Sequence, residues 1–198
     1  LAPEQGTILV NNPDGSLNYP KVGYMLQRDH LFEWRSIYRN VTLGLELHNL
    51  LTPERLRTVD RLLMEYGLDR FRDKRPSELS GGMKQRAALI RTLALEPQLL
   101  LLDEPFSALD YQTRLMVSDD ICRLIRAAGK TMIIITHDLS EAISLADRII
   151  VLSGRPARVK KEMPIKLTLT DDTPLAARNA PEFQTLFNRL WEDLTDEN

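Results

Sequence analysis

The chain has 198 residues, 43% of them apolar and 27% charged, with 26 Lys and Arg against 28 Asp and Glu. That length and apolar content suffice for one substantial core, or a core with a lobe packed on it. A formal net charge of −2, without a long block of one sign, argues against a protein that grips the phosphate backbone of nucleic acid.

The N-terminal Leu-Ala-Pro-Glu-Gln-Gly reads as a turn leading into a β-rich run at 7–10, so the expectation is a domain entered part-way through. Further β-rich runs are predicted at 22–26, 99–103, 131–136, 148–152 and 158–165. Helical patterns separate many of them, at 37–47, 53–66, 82–95, 111–128 and 139–146. Continuous apolar strands alternating with helices indicate an α/β fold, with a largely parallel sheet covered on both faces. The strand-poor stretch between residues 26 and 99 is too long for a simple crossover and reads as a separate helical lobe at 30–92. After Pro164 the tail is polar and turn-rich up to Arg178. A last helix follows Pro181, with Phe183, Phe187, Leu190, Trp191 and Leu194 on one stripe that reads as packing against the core. No apolar run approaches the length of a membrane span. The lone Cys122, in a predicted helix, excludes an intrachain disulfide and reads as apolar filler.

In open α/β sheets ligands bind beyond the carboxyl ends of the strands. Gln27, Asp103-Glu104 and His137 each follow an apolar run, so three polar groups from distant parts of the chain converge on one rim. Adjacent carboxylates at a strand end diverge. One can hold Mg²⁺ through water while the other faces a water that attacks a terminal phosphate. Ser80 is a good N-cap for the next helix, but Gly81 and Gly82 in its first turn cost roughly 1 kcal/mol each relative to Ala. A bare helix start followed by Gln85-Arg86 suits an anion, because it offers exposed N–H groups and the positive end of the helix dipole. The only Gly-Lys pair, Gly129-Lys130, has Leu124 where a phosphate loop needs glycine and follows a helix rather than a strand. It reads as a helix C-cap. No phosphate loop is present in these residues.

From near residue 6 to the tail, the order Leu-Ser80-Gly-Gly-Met-Lys-Gln-Arg86, Asp103-Glu-Pro105, Ser107-Ala-Leu-Asp110 and Thr136-His-Asp138 resembles the ATP-binding subunits of ABC transporters. The resemblance implies a P-loop NTPase-like ABC ATPase core, formed by residues 1–29 and 93–165. A helical signature subdomain is then inserted at 30–92, and a C-terminal tail and helix occupy 166–198. The first strands, the phosphate-loop helix and the adenine-stacking aromatic would lie upstream of Leu1. It further implies ATP and Mg²⁺ as ligands, with Asp103 holding the metal, Glu104 acting as general base, and Gln27 sensing the metal and the attacking water. His137 would contact the γ-phosphate. Ser80, Gly81, Gly82 and Gln85 would grip the γ-phosphate of ATP bound to the other subunit of a head-to-tail homodimer, and Asp110 would lie in the loop crossing that interface.

The stretch Phe71-Arg-Asp-Lys-Arg-Pro-Ser-Glu78 lacks the acidic-glycine segment of exporters and looks like the importer type. The segment from Gln27 through Trp34 to Leu45, and Asn179-Ala-Pro-Glu-Phe183, resemble nitrate, sulfonate and taurine importers. The implied partners are integral-membrane permease subunits and, indirectly, a substrate-binding protein, with no nucleic acid. The implied place is the cytoplasmic face of the cell membrane. Trp34 and its neighbours would face the permease, with plain core packing the other reading. The alternatives are a soluble ABC-family ATPase not coupled to transport and a non-catalytic fragment. Without a phosphate loop, the 198 residues alone are expected to bind ATP–Mg²⁺ weakly and not to hydrolyse it.

Overall fold

The computed structural model describes residues 5, 10–11, 17–18, 21–107, 109–127, 129–171 and 173–195. Most of the expected run at 7–10 lies outside them, as do Ala108 and Ala128. A short antiparallel pair, β1 (Val10–Asn11) and β2 (Leu17–Asn18), comes first. The central sheet has the order β3 (Val22–Met25), β4 (Leu99–Asp103), β5 (Thr131–Ile135), with Val22 to Met25 running parallel beside Leu99 to Leu102. By contact the chain divides into two units, 1–102 with 130–133 and 103–129 with 134–198. The helical segment expected at 30–92 falls in the first unit together with β3.

In the first unit, α1 (Ile37–Val41) and α2 (Leu43–Leu47) replace the single helix expected at 37–47. α3 (Pro53–Glu65) begins on Thr52 as N-cap with Pro at its first turn, a favourable start. α4 (Gly81–Leu93) carries Ala87, Ala88, Leu89 and Ile90 fully buried, and packs on α1, α3 and β3. The fit to β3 is flush. A Cβ on Gly23 would sit 2.6 Å from Thr92 Cγ2 and 2.9 Å from Pro97 Cγ, so only glycine allows the strand this close. The opposite side of β3 is not covered as the sequence pattern suggests: Val22 and Tyr24 are about half exposed.

Buried Asn40 pins the turn before α1. Its Oδ1 accepts the Phe32 N–H at 2.7 Å, and its Nδ2 donates to the carbonyls of Phe32, Arg35 and Ser36. Trp34, on that turn, is 72% exposed and stacks at 4.8 Å on Phe32, so core packing does not account for it.

In the second unit, α5 (Tyr111–Ala127) buries Val117, Ile121 and Cys122. Burial pushes the Cys122 thiol up to about 12, as an inert filler requires. Gly129 follows α5 at φ +60 with its N–H on the Arg126 carbonyl at 2.9 Å, the left-handed cap read from the sequence. α6 (Leu139–Leu145) leads into an antiparallel pair, β6 (Arg148–Leu152) and β7 (Val159–Pro164). α7 (Pro174–Arg178) packs on α5 and α6. α8 (Phe183–Thr195) buries Leu190 with Ile143, Val151 and Met163, flanked by Phe183, Leu186 and Phe187. Trp191 and Leu194, expected on the packed stripe, are instead about half exposed. The stripe turns away from the core over the last helical turns.

Candidate functional site

Two groups of predicted residues occur, one in each unit. In the first unit the Ser80 Oγ accepts the Met83 N–H at 3.3 Å, and the Ser80 carbonyl accepts the Lys84 N–H at 3.0 Å. Helix geometry leaves the N–H groups of Gly81 and Gly82 without partners inside α4. Ser80 and Gly81 are exposed and Gly82 is buried. Gln85, expected to face an anion, is only 3% exposed, and its Nε2 reaches the Gln27 carbonyl at 3.5 Å. The helix behind the glycines is therefore tied to the turn after β3, where Gln27 is exposed. Sequence reasoning passed over the residue that braces that turn. Arg91 donates from Nη1 to the His30 carbonyl at 2.7 Å and from Nη2 to the Asp29 carbonyl at 2.6 Å. Burial draws its guanidinium below the usual range, an effect opposed by Asp29.

In the second unit Glu104 follows β4 at φ +44, a left-handed conformation that costs a non-glycine residue about 1 kcal/mol or more. The turn is held from both sides. The Glu104 N–H donates to the Ile135 carbonyl at 2.8 Å, and the Glu104 carbonyl accepts the Ser107 N–H at 3.2 Å and its hydroxyl at 3.0 Å. The result is a side-chain pair: His137 Nδ1 lies 3.0 Å from Glu104 Oε1, with the imidazole 75% and the carboxylate 27% exposed. The imidazole meets the carboxylate through Nδ1, with Nε2 as the ring's other polar atom. Asp103, the last residue of β4, is partly buried. Asp110 starts α5: its Oδ1 accepts the Thr113 N–H at 3.0 Å, and that bonding holds its carboxyl below the usual range.

Asp138 caps α6 in the same way, accepting the Glu141 N–H on Oδ1 at 3.0 Å. Two neighbours of this cap were not singled out from sequence. Arg114 pairs with Asp138 Oδ2 at 3.2 Å. Glu141, 4% exposed with Oε1 lacking a hydrogen-bond partner, is pushed up to about 7 by burial and by Asp138, against Arg114, Thr136 and Arg178. The Asp-x-x-Glu spacing signals a helix start, but not that the glutamate is buried, in a helix that packs on α7 and α8.

Among the described residues no three His, Cys, Asp or Glu gather as a metal cage. Mg²⁺ takes few protein oxygens and fills its remaining positions with water and phosphate. The Asp103 carboxylate, at the end of β4, is a hard oxygen donor of that kind.

A family model described as "ABC transporter" matches residues 1–107. The chain is 44% identical over 194 residues to the uncharacterized ABC transporter ATP-binding protein YtlC of Bacillus subtilis, covering 98% of this chain and 75% of the relative. It is 37% identical to the taurine import ATP-binding protein TauB of Roseobacter denitrificans, covering 97% and 74%. Among solved structures, CbiO1 of Clostridium perfringens, part of the ABC transporter complex CbiONQ, superposes with a TM-score of 0.63 at 30% identity, covering 73% of this chain and 57% of that one. A dimeric ATP-binding cassette in a post-hydrolysis state, bound to ADP and Pi, gives 0.59 at 31% identity, covering 74% and 63%. The chain thus spans about three quarters of these curated relatives and less than two thirds of either solved chain.

Proposed function

The chain belongs to the ABC transporter family of ATP-binding subunits, whose members hydrolyse ATP, and from that premise we propose that it energises import through a membrane permease. The Glu104–His137 pair carries the reading: a carboxylate and an imidazole 3.0 Å apart, on a strained turn and a strand end. Glu104 takes a proton from the water that attacks the γ-phosphorus. The new P–O bond forms as the bond to the β–γ bridging oxygen breaks, giving ADP and phosphate. His137 orients that water and the terminal phosphate oxygens. Asp103 is the residue of the second unit that would hold Mg²⁺, which when bound would neutralise charge developing on the β- and γ-phosphates.

Ser80, Gly81 and Gly82 serve ATP held by a second copy in a head-to-tail homodimer; that a similar cassette is dimeric supports a dimer. Asp110 belongs to the loop crossing that interface, and residues 30–92 act as a signature lobe. Gln85 contributes by fixing the Gln27 turn to the same helix. Exposed Trp34, on a turn locked by Asn40, faces a cytoplasmic helix of the permease. No described helix is long and apolar enough to cross a membrane. Docking on the permease would place the chain at the cytoplasmic face. A taurine-importing relative favours a small sulfonate as the solute, to be selected by the permease and capture subunits rather than by this chain.

The test is phosphate release by the chain with a phosphate-loop segment placed ahead of Leu1. Glu104→Gln should keep nucleotide binding and lose roughly 10²–10⁴-fold in turnover. Near-normal turnover by that variant would remove Glu104 from the chemistry.

A further inference from the structure

The catalytic turns of the second unit close into a ring, and one guanidinium completes it. The Glu104 carbonyl holds Ser107, and the chain runs on to Leu109. Arg114, one turn into α5, donates from Nη2 to the Leu109 carbonyl at 3.2 Å and from Nη1 to Asp138 Oδ2 at 3.2 Å. Asp138 follows His137, and His137 Nδ1 returns to Glu104 Oε1 at 3.0 Å.

We propose that Arg114 is a positioning residue for ATP hydrolysis, which fixes His137 against Glu104 and couples both to Leu109 and Asp110 through Asp138 and the Leu109 carbonyl. This inference rests on the ATPase reading above. Asp138 already has Oδ1 on the Glu141 N–H, and its own N–H donates to Thr136 Oγ1 at 3.1 Å. Oδ2 is therefore the atom through which its orientation can be set from outside α6. The two acceptors, a carboxylate oxygen and a carbonyl, lie on different turns. A planar fork with several N–H groups reaches both at once, whereas an ammonium is a single point charge. Arg114 and Asp138 are 26% and 29% exposed, so the pair is sheltered enough to hold direction but touches no reacting atom itself.

Two measurements decide it. With a phosphate-loop segment ahead of Leu1, Arg114→Met should lower kcat about 10²-fold, the penalty of a misplaced catalytic group, and leave KM for ATP within about twofold. Arg114→Lys should recover only part of the loss. Arg114→Met combined with Asp138→Asn should be no slower than the worse single variant. Unchanged kcat, or a loss matched by a fallen folded fraction, would overturn the proposal. The second measurement needs no hydrolysis: in the 198-residue chain, Asp138→Asn should shift the Leu109 and Asp110 amide NMR signals when Arg114 is present and leave them in place when it is Met. Equal shifts in both backgrounds, or none, would equally overturn it. A protein that fails to hydrolyse ATP while passing the NMR test would sink the ATPase reading instead.

Discussion

The turn after β3 and the turn after β4 each contain a non-glycine residue at positive φ, His30 at 46° and Glu104 at 44°, and an arginine serves each. The difference lies in what the arginine holds. Arg91 donates to the carbonyl of His30 itself and to that of Asp29, so the strained backbone is gripped directly through neutral acceptors. Arg114 is linked to Glu104 through Asp138, His137 and the Leu109 carbonyl, with an ion pair in the path. The first turn is a fixed frame for Gln27. The second is held through side chains, so under the proposal above a single contact, Arg114 to Asp138, sets its geometry.

The largest expected effect sits at the settable turn. His137→Ala, in the ATP-hydrolysing form, should cost roughly 10²-fold in turnover with little change in thermal midpoint, because the ring is exposed. A midpoint that fell with the rate would make His137 a structural strut and erase the contrast.

Glu141 tests how strongly burial shapes the same neighbourhood. Its carboxyl is raised from an ordinary 4.5 to about 7, so the folded state holds a proton that the unfolded chain has already released. Stability should therefore fall as pH rises from about 4.5 to about 7 and stay level above, a total of about 3 kcal/mol. Glu141→Gln should remove that decline and stabilise the protein most near pH 8, measured by urea unfolding across pH. Parallel pH profiles for variant and parent would mean that Glu141 ionises normally.

Arg91→Met should cost about 2 kcal/mol or more, since it removes charge-assisted bonds to two carbonyls of a strained turn. Denaturant midpoints check this. A near-neutral result would show that the Gln27 turn holds itself, and that the two arginines do not differ in kind.

The smallest stability effect belongs to Trp34→Ala. At 72% exposure it should change unfolding free energy by less than about 0.5 kcal/mol, while lowering permease-coupled transport more than basal ATP hydrolysis. A parallel fall in both activities would argue against docking by this turn.

The sequence by itself determined the family, the strand ends and most helix bounds. β4, α3, α5 and β6 lie within about a residue of the pattern, because apolar period, Pro at a first turn and a capping Ser, Thr or Asp act locally. Ser80 as a cap and Gly129 as a left-handed stop are decided by neighbours within four residues. Only the tertiary structure decided where polar side chains went. Gln85 sits in the polar signature run yet turns inward to Gln27, 58 residues away in sequence. Arg91, Arg114 and Glu141 look like ordinary charged positions on helices until packing sets their neighbours. The same holds for the end of α8, where the apolar stripe continues but the core does not, leaving Trp191 and Leu194 half exposed. Periodicity specifies a face, and burial depends on what the rest of the chain brings to that face.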